Sequence, residues 1–200
     1  MASPLSNGSI INTILLIIVS ACISCAIPNP TQSSSPPEQK SKPSLSVAAL
    51  EKTIHALINK ERLVNGLNQI TWDDALSEIA RKHSRDMSKR NYFDHYSPEG
   101  HDYLYRYEQE GYQCAIVEGR IVHLGAENIA LNYLYDKVTT INGEAFYDWN
   151  SQDKIAETTV QGWMRSIGHR KNILTPYFQK EGIGVVISPD DKIYITQNFC

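Results

Sequence analysis

"EGIGVVISPDDKIYITQNFC", Glu181 to Cys200, closes the chain, and its pattern sets the fold class. Two runs rich in β-branched residues flank Pro189, Asp190 and Asp191. Such side chains lose rotamer freedom in a helix but pack well on a pleated surface, and Pro-Asp-Asp supplies a turn. The stretch reads as an antiparallel β-hairpin.

Upstream of it, "CAIVEGRIVHL" from Cys114 has apolar residues on both sides of Glu-Gly and reads as another hairpin. "GAENIAL" reads as a core strand, and "LYDKVTTINGEAFYDWNSQ" as an irregular excursion or a further hairpin around Asn142-Gly143. The first half is helical instead. Val47 to Leu67 places Leu50, Ile54, Leu57, Ile58 and Leu63 on one stripe, ended by Gly66. Asp73 or Asp74 opens a second helix with Leu76, Ile79, Ala80, His83 and Met87 on one face. "NYFDHYSPEG" is a loop, broken by Pro98 and Gly100, and "DYLYRYEQEG" is a short helix ended by Gly111. A last helix from Asp153 to Ser166 buries Ile155, Ala156, Thr159, Val160 and Trp163. Early helices and later strands imply an α+β fold, with helices covering a mainly antiparallel sheet.

Charge divides the chain in two. Residues 1–37 contain no Asp, Glu, Lys or Arg, although the whole chain carries 22 acidic and 19 basic residues. Residues 1–26 read as an export signal, since "IINTILLIIVSACISCAI" has the apolar run of a secretory segment. Three fates fit it. "VSAC" looks like a lipobox that would leave Cys22 lipid-bearing; "SCA" would release a soluble protein; or the segment stays as an uncleaved anchor. The lipoprotein route is placed first. All three put the rest outside the cytoplasm, at the cell surface or beyond it, with the membrane reached only through the N-terminal signal. Residues 27–45, rich in Pro, Ser and Gln, read as an unstructured tether, and residues 46–200 as the folded domain. A net charge of −3 gives no electrostatic case for nucleic acid. Outside the signal only Cys114 and Cys200 remain, and an even pair in an exported domain suggests a disulfide. The alternative is two free thiols, one at the chain end.

From spacing alone no site assembles. "HExxH", "GxSxG", a P-loop, a dinucleotide glycine fingerprint and a four-cysteine zinc pattern are all missing. Three candidates stand on element ends: His95 in a loop, Glu127 on a core strand, and His169 after Gly168, the turn that ends the helix. A carboxylate among apolar strand residues must be exposed, paired or functional. His83, on an apolar helical face, reads as a buried hydrogen-bonded histidine; His101 and His123 read as solvated. Arg170 and Lys171 read as helix-end charge.

Four ordered blocks then carry a resemblance: "ARKHSRDMSKRNYFDHYSPEG", "GAENIA", "GWMRSIGHRKNIL" and "GIGV…YITQNF". Together they resemble the CAP superfamily, the cysteine-rich secretory, antigen 5 and pathogenesis-related (SCP-like) proteins, in its prokaryotic form. The resemblance implies an α-β-α sandwich, an exported domain and a cleft that often holds a divalent metal. Carried over block by block, the family's cleft histidines fall on His95 and His169, and the glutamate of its "GEN" block on Glu127. A second cleft glutamate would fall on Ser166, where this chain has no carboxylate.

Two imidazoles, from His95 and His169, would bind Zn²⁺ or another divalent metal, with Glu127 orienting a histidine or accepting a proton from bound water and Ser166 as a hydrogen-bonding neighbour. Three protein ligands are usual where zinc does catalysis, so this set suits a weak, exchangeable site. The reading is therefore a binding domain, its ligand a metal, a lipid, an envelope component or a peptide. The rival is a metal-assisted peptidase or cell-wall hydrolase using the same cleft. A Cys–His nucleophile is disfavoured, because oxidised cysteines offer no thiolate.

Overall fold

The computed structural model describes residues 40–200. The expected export signal, the lipidation at Cys22 and the first part of the tether lie outside the described residues. Helix α1, Val47–Val64, starts where the Ser46 hydroxyl accepts from the Ala49 amide and gives way to Gly66 at φ +76°. Its stripe buries Leu50, Ile54 and Ile58, but Leu63 lies exposed in the last turn. Asp73 caps α2, Asp74–Arg90, which buries Leu76, Ile79, Ala80, His83 and Met87 as its periodicity requires. Asp102 caps the short α3, Tyr103–Gln109.

The strand-rich half comprises hairpin β2–β3 (Ile116–Glu118, Ile121–His123), strand β4 (Ala126–Tyr133) and hairpin β5–β6 (Tyr135–Ile141, Glu144–Trp149). Asn142 and Gly143, both at positive φ, close the last of these, so the aromatic excursion is a hairpin. Helices α4, Gln152–Arg165, and α5, Ile167–Ile173, precede the closing hairpin β7–β8, Lys180–Ile187 and Lys192–Phe199. Two elements were not expected. Strand β1, Thr71–Trp72, is two residues long, and α5 runs through the glycine expected to end α4.

The main sheet has the order β1-β7-β8-β4; β1 runs parallel to β7 and the other pairs are antiparallel. Alternation sends Ile183, Val185, Ile193, Ile195 and Phe199 to one face, where α1, α4 and α5 cover them with Leu50, Ile54, Ile58, Ile155, Val160, Trp163 and Ile173. The opposite face carries Gly182 and Gly184. A Cβ on either would lie 2.1 Å from the Ser77 amide nitrogen or 2.0 Å from that of Arg81, so α2 sits directly on the strand backbone. Ser84 fastens it there, donating to the Gly184 carbonyl beside the Thr196 hydroxyl. This is the expected α-β-α sandwich.

Three staples hold the periphery. The Val185 amide, beyond the short β1, donates to Glu51, which Arg81 grips at 2.9 and 2.7 Å, so the sheet edge is not left open. The buried Arg62 donates to four carbonyls, those of Asn68, Ile173, Thr175 and Phe178. Cys114 and Cys200 form a disulfide with Cα atoms 5.6 Å apart, closing a span of 86 residues. A loop of that length contributes about 4–5 kcal/mol in the chain-entropy model. At the start of the described residues, Trp149 of β6 donates to the Lys40 carbonyl and Lys42 pairs with Asp191 of the β7–β8 turn, so residues 40–42 lie against the two hairpins. Among the described residues no helix is long and apolar enough to cross a membrane.

Candidate functional site

Glu127 lies in β4 on the α2 side of the sheet, directly across from Asn198 of β8, and is only 5% exposed. A buried carboxylate needs donors for both oxygens. His95 supplies one, its Nδ1 standing 2.9 Å from Oε1; Arg106 supplies the other, donating to Oε2 at 2.6 Å. Since a carboxylate only accepts, His95 carries its proton on Nδ1 and leaves Nε2 free. Arg106 also donates to the carbonyls of His95 and His101, tying the "NYFDHYSPEG" loop to α3. His83 reaches the cluster from α2, its Nε2 donating to the Asp94 carbonyl and lying 3.9 Å from Glu127 Oε1. Burial pushes the His83 imidazole below its ordinary value, against the opposing pull of Glu127.

His169 belongs to the first turn of α5. The expected arrangement, a histidine after a terminal glycine, is corrected here: α4 ends at Arg165, Ser166 makes the bend, and Gly168 is helical. Asn128 donates to the His169 carbonyl, and Asn172 donates to both Asn128 Oδ1 and the Glu127 carbonyl, which holds α5 against β4. The rings of His95 and His169 are 6.4 Å apart. Burial and the neighbouring His95 lower the His169 pKa, favouring the neutral imidazole. His95 and Glu127 are bonded side chain to side chain, whereas His169 is tied to Glu127 only through Asn128 and Asn172, and the Ser166 hydroxyl does not cap α5. A cleft of about 400 Å³ opens beside this group, with His95, Tyr96, Tyr103, Gly125, Glu127 and Asn172 in its wall. Gly125 is needed there, because at φ +95° a Cβ would sit 2.5 Å from the Phe199 carbonyl.

Arg106 escaped the sequence reading, although a buried glutamate calls for a cation and this one sits in a tyrosine-rich short helix. The two histidines expected to be solvated are half-buried: His101 stacks on Tyr105, and His123 stacks on Tyr177 while meeting Glu118. Next to Glu127, both amide atoms of Asn198 and the Arg106 Nε are buried without a protein partner. The interior at this point is polar.

The donor set suits two imidazole ligands. His95 has a free Nε2 with a carboxylate behind its other nitrogen, the outer-shell pattern of many metal-bound histidines, and His169 is biased towards the neutral, ligating form. Among the described residues no group of three or more His, Cys, Asp or Glu is arranged to hold an ion.

A sequence model of the CAP, or cysteine-rich secretory protein, family matches residues 55–199. Two Bacillus subtilis proteins are similar. The uncharacterized protein YkwD is 35% identical over 143 residues, covering 72% of this chain and 45% of that protein. The uncharacterized membrane protein YlbC is 34% identical over 150 residues, covering 74% and 34% respectively. The chain thus spans less than half the length of the curated relatives it matches. Among solved structures, an extracellular SCP-domain protein of Bacillus anthracis superposes with a TM-score of 0.55 at 29% identity, covering 76% of this chain and 40% of that one. An outer surface protein of Borrelia burgdorferi gives 0.57 at 15% identity, covering 78% and 94%, a likeness of fold alone. With α2 seated on the glycines of β7, the Glu127 cluster at the edge of a cleft, and the match running through nearly the whole sandwich, this chain belongs to the CAP family of cysteine-rich secretory proteins.

Proposed function

We propose that the domain is exported and works as a binding module rather than an enzyme. Its cleft takes a divalent metal, zinc or a similar ion, on His95 and His169, together with an envelope, lipid or peptide ligand. The observation that carries this reading is the state of Glu127. Both of its oxygens are engaged, by His95 and by Arg106, and the group is buried. A carboxylate already neutralised by a guanidinium is a poor acceptor for the proton of an attacking water. Ser166, where a second acid would stand, supplies no replacement. The same pairing serves binding well, because it orients His95 and keeps Nε2 turned outward. A bound ion would offer the cleft a positive centre for an anionic ligand group. Export is supported by the apolar N-terminal segment, by the disulfide and by the extracellular and membrane descriptions of two relatives.

Titration of the purified protein with Zn²⁺, followed by calorimetry and metal analysis, tests the reading. One ion per chain is expected, lost in both His95→Ala and His169→Ala. Peptide or cell-wall turnover that needs zinc and disappears in His169→Ala would overturn the binding reading in favour of a metal-assisted hydrolase. Absence of zinc uptake by the folded wild type would remove the metal from it.

A further inference from the structure

A second buried carboxylate lies on the other face of the sheet. Glu181 of β7 is 0% exposed and accepts from His55 Nδ1 on α1 and from Gln197 Nε2 on β8, each at 2.5 Å. Gln197 Oε1 then accepts from Asn128 Nδ2 at 3.0 Å, and Asn128 Oδ1 accepts from Asn172 Nδ2 of α5 at 2.9 Å. Because Glu181 only accepts, Gln197 must turn its amino group towards it and its oxygen towards Asn128. That choice orients Asn128 in turn. The row runs head to tail across β7, β8 and β4, and ends on the segment that carries His169, whose carbonyl also accepts from Asn128.

The other end of the row fixes the His55 tautomer. Asn59 Oδ1 accepts from the Ile70 amide at 2.8 Å, and Nδ2 donates to the Ile70 carbonyl at 2.9 Å, so the amide cannot flip. Its remaining N–H faces His55 Nε2 at 3.2 Å. His55 Nε2 is therefore an acceptor, and the ring proton sits on Nδ1, facing Glu181. A second proton on Nε2 would set N–H against N–H, so the ring or Asn59 must move. The side chain is 19% exposed, so solvent protons reach it.

The charged surroundings are few. Glu181 faces the ring from β7. Trp72 of β1 meets it edge-on, with Lys52 Nζ lying 3.4 Å over the indole. Glu51, one turn earlier on α1, is held by Arg81 from α2, and Arg62 further along α1 feels the charge of Glu181.

We propose that His55 is a positioning residue for the cleft, its protonation shifting the Glu181–Gln197–Asn128 row and with it the turn of α5 that carries His169. Within the proposed binding reading this makes cleft affinity respond to pH through a histidine that touches no ligand. The coupling itself needs no ligand and stands whether or not the cleft takes zinc.

The test is NMR on the intact chain with labelled histidine and amide nitrogens, without metal. Wherever His55 is neutral, its proton is expected on Nδ1. On acidification, the side-chain amides of Asn128 and Asn172 and the His169 backbone amide should shift with the His55 midpoint. In His55→Gln that component should vanish, leaving only the shifts that follow His169 and His95. An Nε2–H tautomer for neutral His55, or α5 signals that ignore the His55 midpoint, would overturn the proposal; so would the same shifts in folded His55→Gln. Should that variant not fold, the wild-type tautomer and co-titration decide alone.

Discussion

Glu127 and Glu181 are buried carboxylates, on opposite faces of one sheet, each with a histidine Nδ1 at hydrogen-bonding distance. Their second partners differ. Glu127 has the Arg106 guanidinium, and its histidine, with 43% of the side chain exposed, stands at a cleft. Glu181 has the neutral amide of Gln197 and is sealed under α1. One pairing neutralises a charge and leaves a nitrogen facing outward; the other spreads a charge into a row of oriented amides. Similar components thus make a candidate site on one face and an internal brace on the other.

The largest expected effect comes from removing the neutralising cation. Arg106→Ala strands a carboxylate that is already desolvated and should lower stability by about 3–5 kcal/mol in denaturant unfolding. Combining it with Glu127→Gln should recover part of that loss. A cost under about 1 kcal/mol for Arg106→Ala, typical of exposed pairs, would erase the distinction between the two sites. Glu181→Gln is expected to cost less, about 1–3 kcal/mol, because one of two donors loses its acceptor while no charge is stranded.

Metal affinity separates the pairs differently. Glu127→Gln should weaken zinc binding about 10–100-fold by loosening His95, as loss of an outer-shell carboxylate does. Glu181→Gln should change it much less, since that group contacts neither proposed ligand. Equal losses in calorimetric titrations would mean that the two carboxylates act alike.

The smallest effect is on the pH profile. Burial lowers the pKa of both His83 and His169 in the folded protein, so the unfolded chain binds more protons at acid pH. Stability should therefore fall as pH drops below about 6.5, the ordinary imidazole value, and this penalty should be absent above it. His83→Gln should flatten the acid side of a plot of unfolding midpoint against pH. An unchanged slope would show that His83 contributes none of it.

Much of this was legible in the residues. The α1, α2 and α4 stripes followed their periodicity, and the terminal hairpin followed its β-branched runs and turn. The elements missed were those too short to carry a period: β1 with two residues, and α5 with seven and a glycine inside it. Asn-Gly marked the β5–β6 turn, yet its aromatic flanks did not show which strands would form. Glu127 announced itself as a carboxylate among apolar neighbours, but nothing near it in sequence pointed to Arg106, 21 residues earlier. Gly182 and Gly184 carried no separate signal within the β-branched run. Only the packed structure shows that α2 requires their missing side chains.

By itself the sequence determined the local elements and the family-bearing blocks, because propensity, capping and alternation act over a few residues. Tertiary structure alone decided which face each carboxylate occupies and which partner meets it. Desolvation depends on how distant segments pack, and a buried charge persists only where that packing brings its donors within about 3 Å.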